Sequence, residues 1–150
     1  MPIVVDANNL LYRLPASLRR PAELRRLSLN LARTQRLRLT LVWDGPPPPG
    51  VPERESLGQL TVVHAGSMTA DDAIVRTLPQ GAAAKQWTVV TDDRGLRARV
   101  RARGASVTSL KDWIQRLLDA TSGERKGEAS PSELKRWEEL FTRSGKPRKS

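Results

Sequence analysis

The chain contains no cysteine and only one histidine, His64. Without cysteine there are no disulfide staples and no thiolate metal sites, and a reducing compartment is the natural reading. One histidine excludes a pair of imidazoles dividing acid and base work between them. No stretch approaches the ~20 apolar residues of a membrane span. The opening Met1-Pro2-Ile3-Val4-Val5-Asp6 has no basic run and meets a charge at position 6, so it reads as a first strand and not as a signal peptide. The expectation is a cytoplasmic protein with no membrane contact. Acidic residues are outnumbered, 16 against 26 basic ones, which leaves a formal charge of +10. Twenty of those 26 are arginine, a bias that GC-rich coding also writes on exposed surface. The charge still favours a polyanionic partner.

The chain's 150 residues suit one domain, long enough to bury a core. Strand and helix periods alternate along it. Pro2 to Val5, Leu39 to Trp43, Leu60 to His64, Trp87 to Thr91 and Ser106 to Thr108 read as short strands, and Pro46 to Pro49 as a stiff turn. Leu24, Leu27 and Leu31 share one helical face in the stretch Pro21 to Arg36. Ala70, Ala73, Ile74, Thr77 and Leu78 do so in the next. Leu96 and Val100 mark a helix ended by Gly104, and Leu110, Trp113, Ile114, Leu117 and Leu118 mark another, with Ser109 and Asp112 at the spacing of a capping box. Residues 121–129 read as a polar linker. Ser130-Pro131-Ser132-Glu133 then starts a helix carrying Leu134, Trp137, Leu140 and Phe141, and a basic tail follows from Gly145. This alternation predicts a three-layer α/β domain with a mostly parallel central sheet over residues 1–120, plus a C-terminal helix over 130–150.

The aspartates sit where those strands end. Asp6 closes Ile3-Val4-Val5, Asp44 closes the second strand, Asp92 and Asp93 follow Trp87 to Thr91, and Asp71-Asp72 opens a helix. In an open parallel sheet the carboxyl ends of the strands form the ligand crevice, so these groups are expected to converge. Converging carboxylates repel one another unless a cation joins them, and their hard oxygens suit Mg²⁺ or Mn²⁺. An acidic pocket on a basic protein fits a metal-dependent nuclease, with metal for the phosphate and arginines for the polyanion.

The segment Ile3-Val4-Val5-Asp6-Ala7-Asn8-Asn9-Leu10-Leu11 resembles the D-G-x-N opening of the NYN branch of PIN-like ribonucleases. Val42-Trp43-Asp44-Gly45 resembles the end of that family's second strand. Thr69-Ala70-Asp71-Asp72-Ala73-Ile74 is similar to the T-A-D-[DE]-x-I motif of its YacP-like subgroup, and Val89-Val90-Thr91-Asp92-Asp93-Arg94-Gly95-Leu96 to its V-x-T-x-D segment. Gly104-Ala105 followed by Ser109 fits the G-A-x-x-x-S stretch after it. The resemblance covers about residues 2 to 118, in the family's order. Two positions depart from it: Ala7 stands for the usual glycine and Asn8 for the common aromatic, both in the first loop.

The resemblance implies a PIN-like fold and a Mg²⁺- or Mn²⁺-dependent endoribonuclease with RNA as substrate. It makes Asp6, Asp71 and Asp93 catalytic metal ligands and Asn9 a positioning residue. Asp44, Asp72 and Asp92 are second-rank metal candidates, Thr91 a supporting residue beside substrate, and Arg94, Arg97 and Arg101 candidate phosphate contacts. Some YacP-like members act on mRNA at the ribosome, so ribosome-associated mRNA is a candidate partner.

Each residue also has a plainer reading. Asp72 completes a capping box with Thr69, Asp93 is placed to cap the helix through Leu96, and Asp44 can start the turn before the prolines. His64 reads as structural, and Trp113, Trp137 and Phe141 as core. The stretches Arg13 to Arg38 and Arg94 to Arg103, with Glu23 the one acid in the first and none in the second, can be solvated helix faces. Competing functions are an RNA-binding module that does not cut, a toxin-like PIN ribonuclease, and a phosphatase, the last disfavoured because Asp6 is followed by Ala7-Asn8 and not by a D-x-D.

Overall fold

The structure is a computed structural model and describes residues 1–124. Six strands form one sheet in the order β3-β4-β2-β1-β5-β6, with β1 Pro2–Asp6, β2 Arg38–Trp43, β3 Arg54–Leu57, β4 Leu60–His64, β5 Thr88–Val90 and β6 Ser106–Thr108. All neighbours are parallel except β3 and β4, an antiparallel hairpin. The central strands are apolar at nearly every position because helices cover both faces. α1 (Ala7–Arg13), α2 (Pro21–Gln35) and α5 (Leu110–Glu124) bury Leu10, Leu24, Leu27, Leu31, Trp113 and Leu117 against one face. α3 (Ala70–Thr77) and α4 (Arg94–Ala102) bury Ile74, Val75, Leu96 and Val100 against the other. This is the expected three-layer, mostly parallel α/β fold.

Local chemistry accounts for most boundaries. Pro21 occupies the first turn of α2, and Arg36 ends it in the left-handed region at φ 54°. Thr69 caps α3 by accepting the Asp72 N–H at 3.0 Å, and Ser109 accepts the Asp112 N–H at 3.1 Å.

Three elements differ from expectation. The segment after Asp6 is no loop: β1 passes directly into α1, because Ala7, Leu10 and Leu14 are all drawn into the core. The strand β3 is polar and sits at the sheet edge, paired to β4 through a tight turn at Gly58, whose φ of 65° an L side chain rarely adopts. The helix expected around Leu110 to Leu118 continues to Glu124, four residues into the segment read as a linker, with Thr121 buried and its hydroxyl donating to the Leu117 carbonyl. The rest of that linker, the C-terminal helix and the basic tail lie outside the described residues. Among the described residues no helix is long and apolar enough to cross a membrane.

Candidate active site

From β1 the chain moves outward to β2 and β4 on one side, then returns through α3 to β5 and β6 on the other. The strand order therefore reverses between β1 and β5, where open α/β sheets place their ligand crevice. Asp6 ends β1 at that point. It is only 2% exposed, and both Asn9 Nδ2 and, at 3.2 Å, Thr91 Oγ1 donate to its Oδ2. Burial raises its pKa above 3.8, against the side-chain hydrogen bonds from Asn9 and Thr91 and a backbone one from Asn9 that lower it, and the nearby charge of Asp44 adds to the rise.

Three further carboxylates line the same edge and act on one another by charge, Asp44 on Asp6, and Asp93, Asp6 and Asp44 on Asp71. Asp44 follows β2. Its Oδ1 accepts the Ala70 N–H at 3.0 Å, which fastens the start of α3 to the sheet edge, while its own N–H donates to Asn8 Oδ1 at 2.6 Å. Asp71, in the first turn of α3, has its pKa raised by burial first, then by the charges of Asp93, Asp6 and Asp44, with Arg99 working the other way. Asp93 caps α4, its Oδ1 accepting the Leu96 N–H at 2.8 Å, and its own N–H donates to Thr91 Oγ1 at 3.1 Å. The capping reading of Asp93 is therefore correct as far as it goes, and it leaves Oδ2 for other work.

Asp72 and Asp92 do not join this group. Asp72 forms an ion pair with Arg99 at 2.9 Å, tying α3 to α4. Asp92 accepts the Leu110 N–H at 3.0 Å and pairs with Arg13 at 3.2 Å, so it serves the start of α5. Thr91 has no exposed surface. It cannot touch substrate and instead braces Asp6 and Asp93 from beneath.

Arg94, Arg97 and Arg101 share one side of α4 at i, i+3, i+7 spacing, with no acidic partner among the described residues. Arg97 is half-buried and its Nε has no partner. Arg103, by contrast, donates to the Leu78 carbonyl at 3.2 Å and is structural. The first-turn donors of α3 at Ala70 and Asp72 are used by Asp44 and Thr69, which leaves that helix end little to offer a phosphate. Trp113 is core, as its spacing suggested, with Arg116 over its ring at 5.3 Å. His64 lies in β4, its Nδ1 enclosed without a partner.

The donor set suits a hard cation: it is all oxygen, and two of its carboxylates are held in the fold against their preference for charge. Among the described residues, however, no three acidic or histidine side chains stand close enough to hold one ion together. The sequence flagged Asn8 as a departure but not its bond to Asp44, and it missed the charge that Arg99 brings to Asp71.

Comparison with known proteins bears on the family and the fold. The model of the YacP-like NYN domain matches residues 3–143. The crystal structure of Rae1 (YacP) from Bacillus subtilis superimposes with a TM-score of 0.65 at 17% identity, covering 95% of this chain and 88% of that one. A tryptophan-to-leucine mutant of the same protein gives 0.62 at 18% identity, covering 93% and 90%. At that identity the likeness speaks for the fold. No curated protein matches the chain.

Proposed function

The chain belongs to the YacP-like NYN domain family, whose fold is that of PIN-like ribonucleases, and from that premise we propose that it is a metal-dependent endoribonuclease. The observation that carries the reading is Asp6: a carboxylate almost without exposure, at the switch point of the sheet, facing the charges of Asp44 and Asp71. Burial of that one carboxylate costs the fold stability, and the like charges beside it add to the cost.

Phosphodiester hydrolysis needs an activated water and neutralised charge on the non-bridging and leaving oxygens, and Mg²⁺ or Mn²⁺ supplies both when bound. Asp6, Asp71 and Asp93 would hold the ion, with Asp44 beside them. Asn9 and Thr91 fix the rotation of the Asp6 carboxylate. Arg94, Arg97 and Arg101 lie along the helix that begins at Asp93 and would hold the strand on either side of the scissile phosphate. Ribosome-associated mRNA is the candidate target that the family brings with it.

The test is cleavage of single-stranded and structured RNA in Mn²⁺, in Mg²⁺ and in EDTA, with Asp93→Asn as the diagnostic variant. Asparagine caps a helix about as well as aspartate. The variant should keep its fold, lose activity by orders of magnitude, melt higher without metal and gain less from Mn²⁺. Activity that survives EDTA, or a fully active Asp93→Asn, removes the metal reading. For the arginines, replacing all three by alanine should lower the salt slope of binding by up to about 2, at ~0.7 per phosphate contact on a single strand.

A second reading has one observation in its favour, the absence among the described residues of three metal-capable groups already gathered. On it the chain binds RNA and cuts nothing, with or without metal.

A further inference from the structure

We propose that the pocket beside the carboxylates is a subsite for one unpaired base of an RNA strand, with Tyr12 as the surface on which that base stacks. The pocket has a volume of about 300 Å³ and is lined by Asn9, Tyr12, Arg13, Asp92, Asp93 and Leu110. It shares Asn9 and Asp93 with the acidic edge, so a strand whose phosphate lies at that edge brings a neighbouring base to the pocket. Its size sits at the low end of the ~300–1,000 Å³ of small-ligand pockets, which admits a base and not a duplex.

Tyr12 is the chain's single tyrosine, and it is 67% exposed. Among the described residues it is one of three exposed large hydrophobic side chains, and the one of the three that lines the pocket. A phenol ring exposed on a seven-residue helix whose other face is buried gives no packing energy to the fold. Beside it, Arg13 is held by Asp92 at 3.2 Å, and Asp92 is held in turn by the Leu110 N–H. The guanidinium is therefore kept at the pocket wall, where its charge meets the backbone of an incoming strand. Aromatic stacking of a splayed base is how proteins read single-stranded RNA, since the deep, narrow major groove of a duplex admits no such contact. The subsite would thus make the edge selective for unpaired RNA.

The inference rests on the proposed function in one respect, that RNA is what reaches this edge. Its test is binding in EDTA, where cleavage plays no part. A labelled unstructured oligoribonucleotide and a hairpin stem are titrated with wild type, Tyr12→Ala and Tyr12→Phe. Tyr12→Ala should bind the single strand about tenfold more weakly, within the range of losing one stacked base, and Tyr12→Phe should restore most of that. The stem should bind all three proteins alike. The salt slope should be unchanged, because no phosphate contact is lost. The exposed ring should leave the melting temperature where it was. Single-strand affinity unchanged in Tyr12→Ala, equal losses on strand and stem, or a wild type with no single-strand affinity each overturn the subsite. The two readings fail separately. A wild type that cuts no RNA in Mn²⁺ while Tyr12→Ala still loses its single-strand affinity removes the nuclease and keeps the subsite. A wild type that cuts while Tyr12→Ala binds normally does the reverse.

Discussion

The two faces of the sheet are built to different standards. Under α1, α2 and α5 lies a broad core of leucines closed by Trp113; under α3 and α4 lies a smaller one, chiefly Ile74, Leu78, Leu96 and Val100. The acidic edge draws on both. Asp6 is fixed in the central strand with two side-chain donors on one oxygen. Asp71 and Asp93 ride on the first turns of the two helices that cover the smaller core. Half of the site is therefore set by the sheet, and half by how well two short helices sit on it. Damage to the larger core should cost the fold, and damage to the smaller one should cost the site.

The largest expected effects follow from that contrast. Trp113→Ala empties the centre of the larger core and should cost about 3–5 kcal/mol; Leu96→Ala should cost about 2–5 kcal/mol. Denaturant unfolding measures both. The sharper readout is the melting shift produced by Mn²⁺, where both variants are still folded. Leu96 lies one turn into the helix that Asp93 caps and takes the capping bond on its own N–H. Leu96→Ala should need more Mn²⁺ for the same shift, and Trp113→Ala should not. Equal loss of metal response in both would mean that the two faces do not divide fold from site.

A second, smaller effect is in pH. The carboxyls of Asp6 and Asp71 have folded pKa values raised above 3.8, chiefly by burial. Between 3.8 and those raised values the native state holds more protons than the unfolded one, so these groups lower stability as pH rises through the window and return it as pH falls. The metal-free protein should thus gain stability from them on acidification through the window. Asp6→Asn and Asp71→Asn should each flatten the profile, with the melting temperature read across pH without metal. A profile unaltered by either substitution would show that neither carboxyl is held against its charge.

The division between the faces also explains what the sequence could and could not tell. Asp6 was legible because a charge that ends a wholly apolar first strand has nowhere to go but an edge or a partner. The periods of α2, α3 and α5 were legible because each buries one stripe of leucine, isoleucine or valine. Periodicity alone did not rank Asp71 over Asp72 or Asp93 over Asp92; the family resemblance did. Neighbouring residues on a helix point about 100° apart, and the docking of α3 on the sheet turns Asp71 toward Asp6 and Asp72 toward Arg99. α1 was hidden because Ala7-Asn8-Asn9 carries helix-poor asparagines and is held helical by tertiary burial of Leu10 and Leu14. β3 was hidden because Arg54-Glu55-Ser56-Leu57 is a polar edge strand, formed by pairing with β4 and not by its own pattern.

The smallest effect concerns the one ion pair that joins the two helices of the thinner face. Arg99 and Asp72 meet at 2.9 Å with their side chains about half exposed, 47% and 50%. A pair so open to water contributes little, typically ~0.2–1 kcal/mol, and is weakened further by salt. A double-mutant cycle with Arg99→Gln and Asp72→Asn, read by urea unfolding, should therefore return a coupling energy under about 1 kcal/mol. Its place gives it more consequence for the site than for the fold. The charge of Arg99 also lowers the pKa of Asp71. Arg99→Gln should then raise that pKa further and steepen the acid-side gain in metal-free stability, while Asp72→Asn should free Arg99 to act on Asp71 and shallow it. Opposite changes in the two single variants would place the pair between α3 and α4 as a setting on the acidic edge. Identical changes, or a coupling energy of several kcal/mol, would make it a clamp of the fold, and the thinner face would owe its position to charge and not to packing.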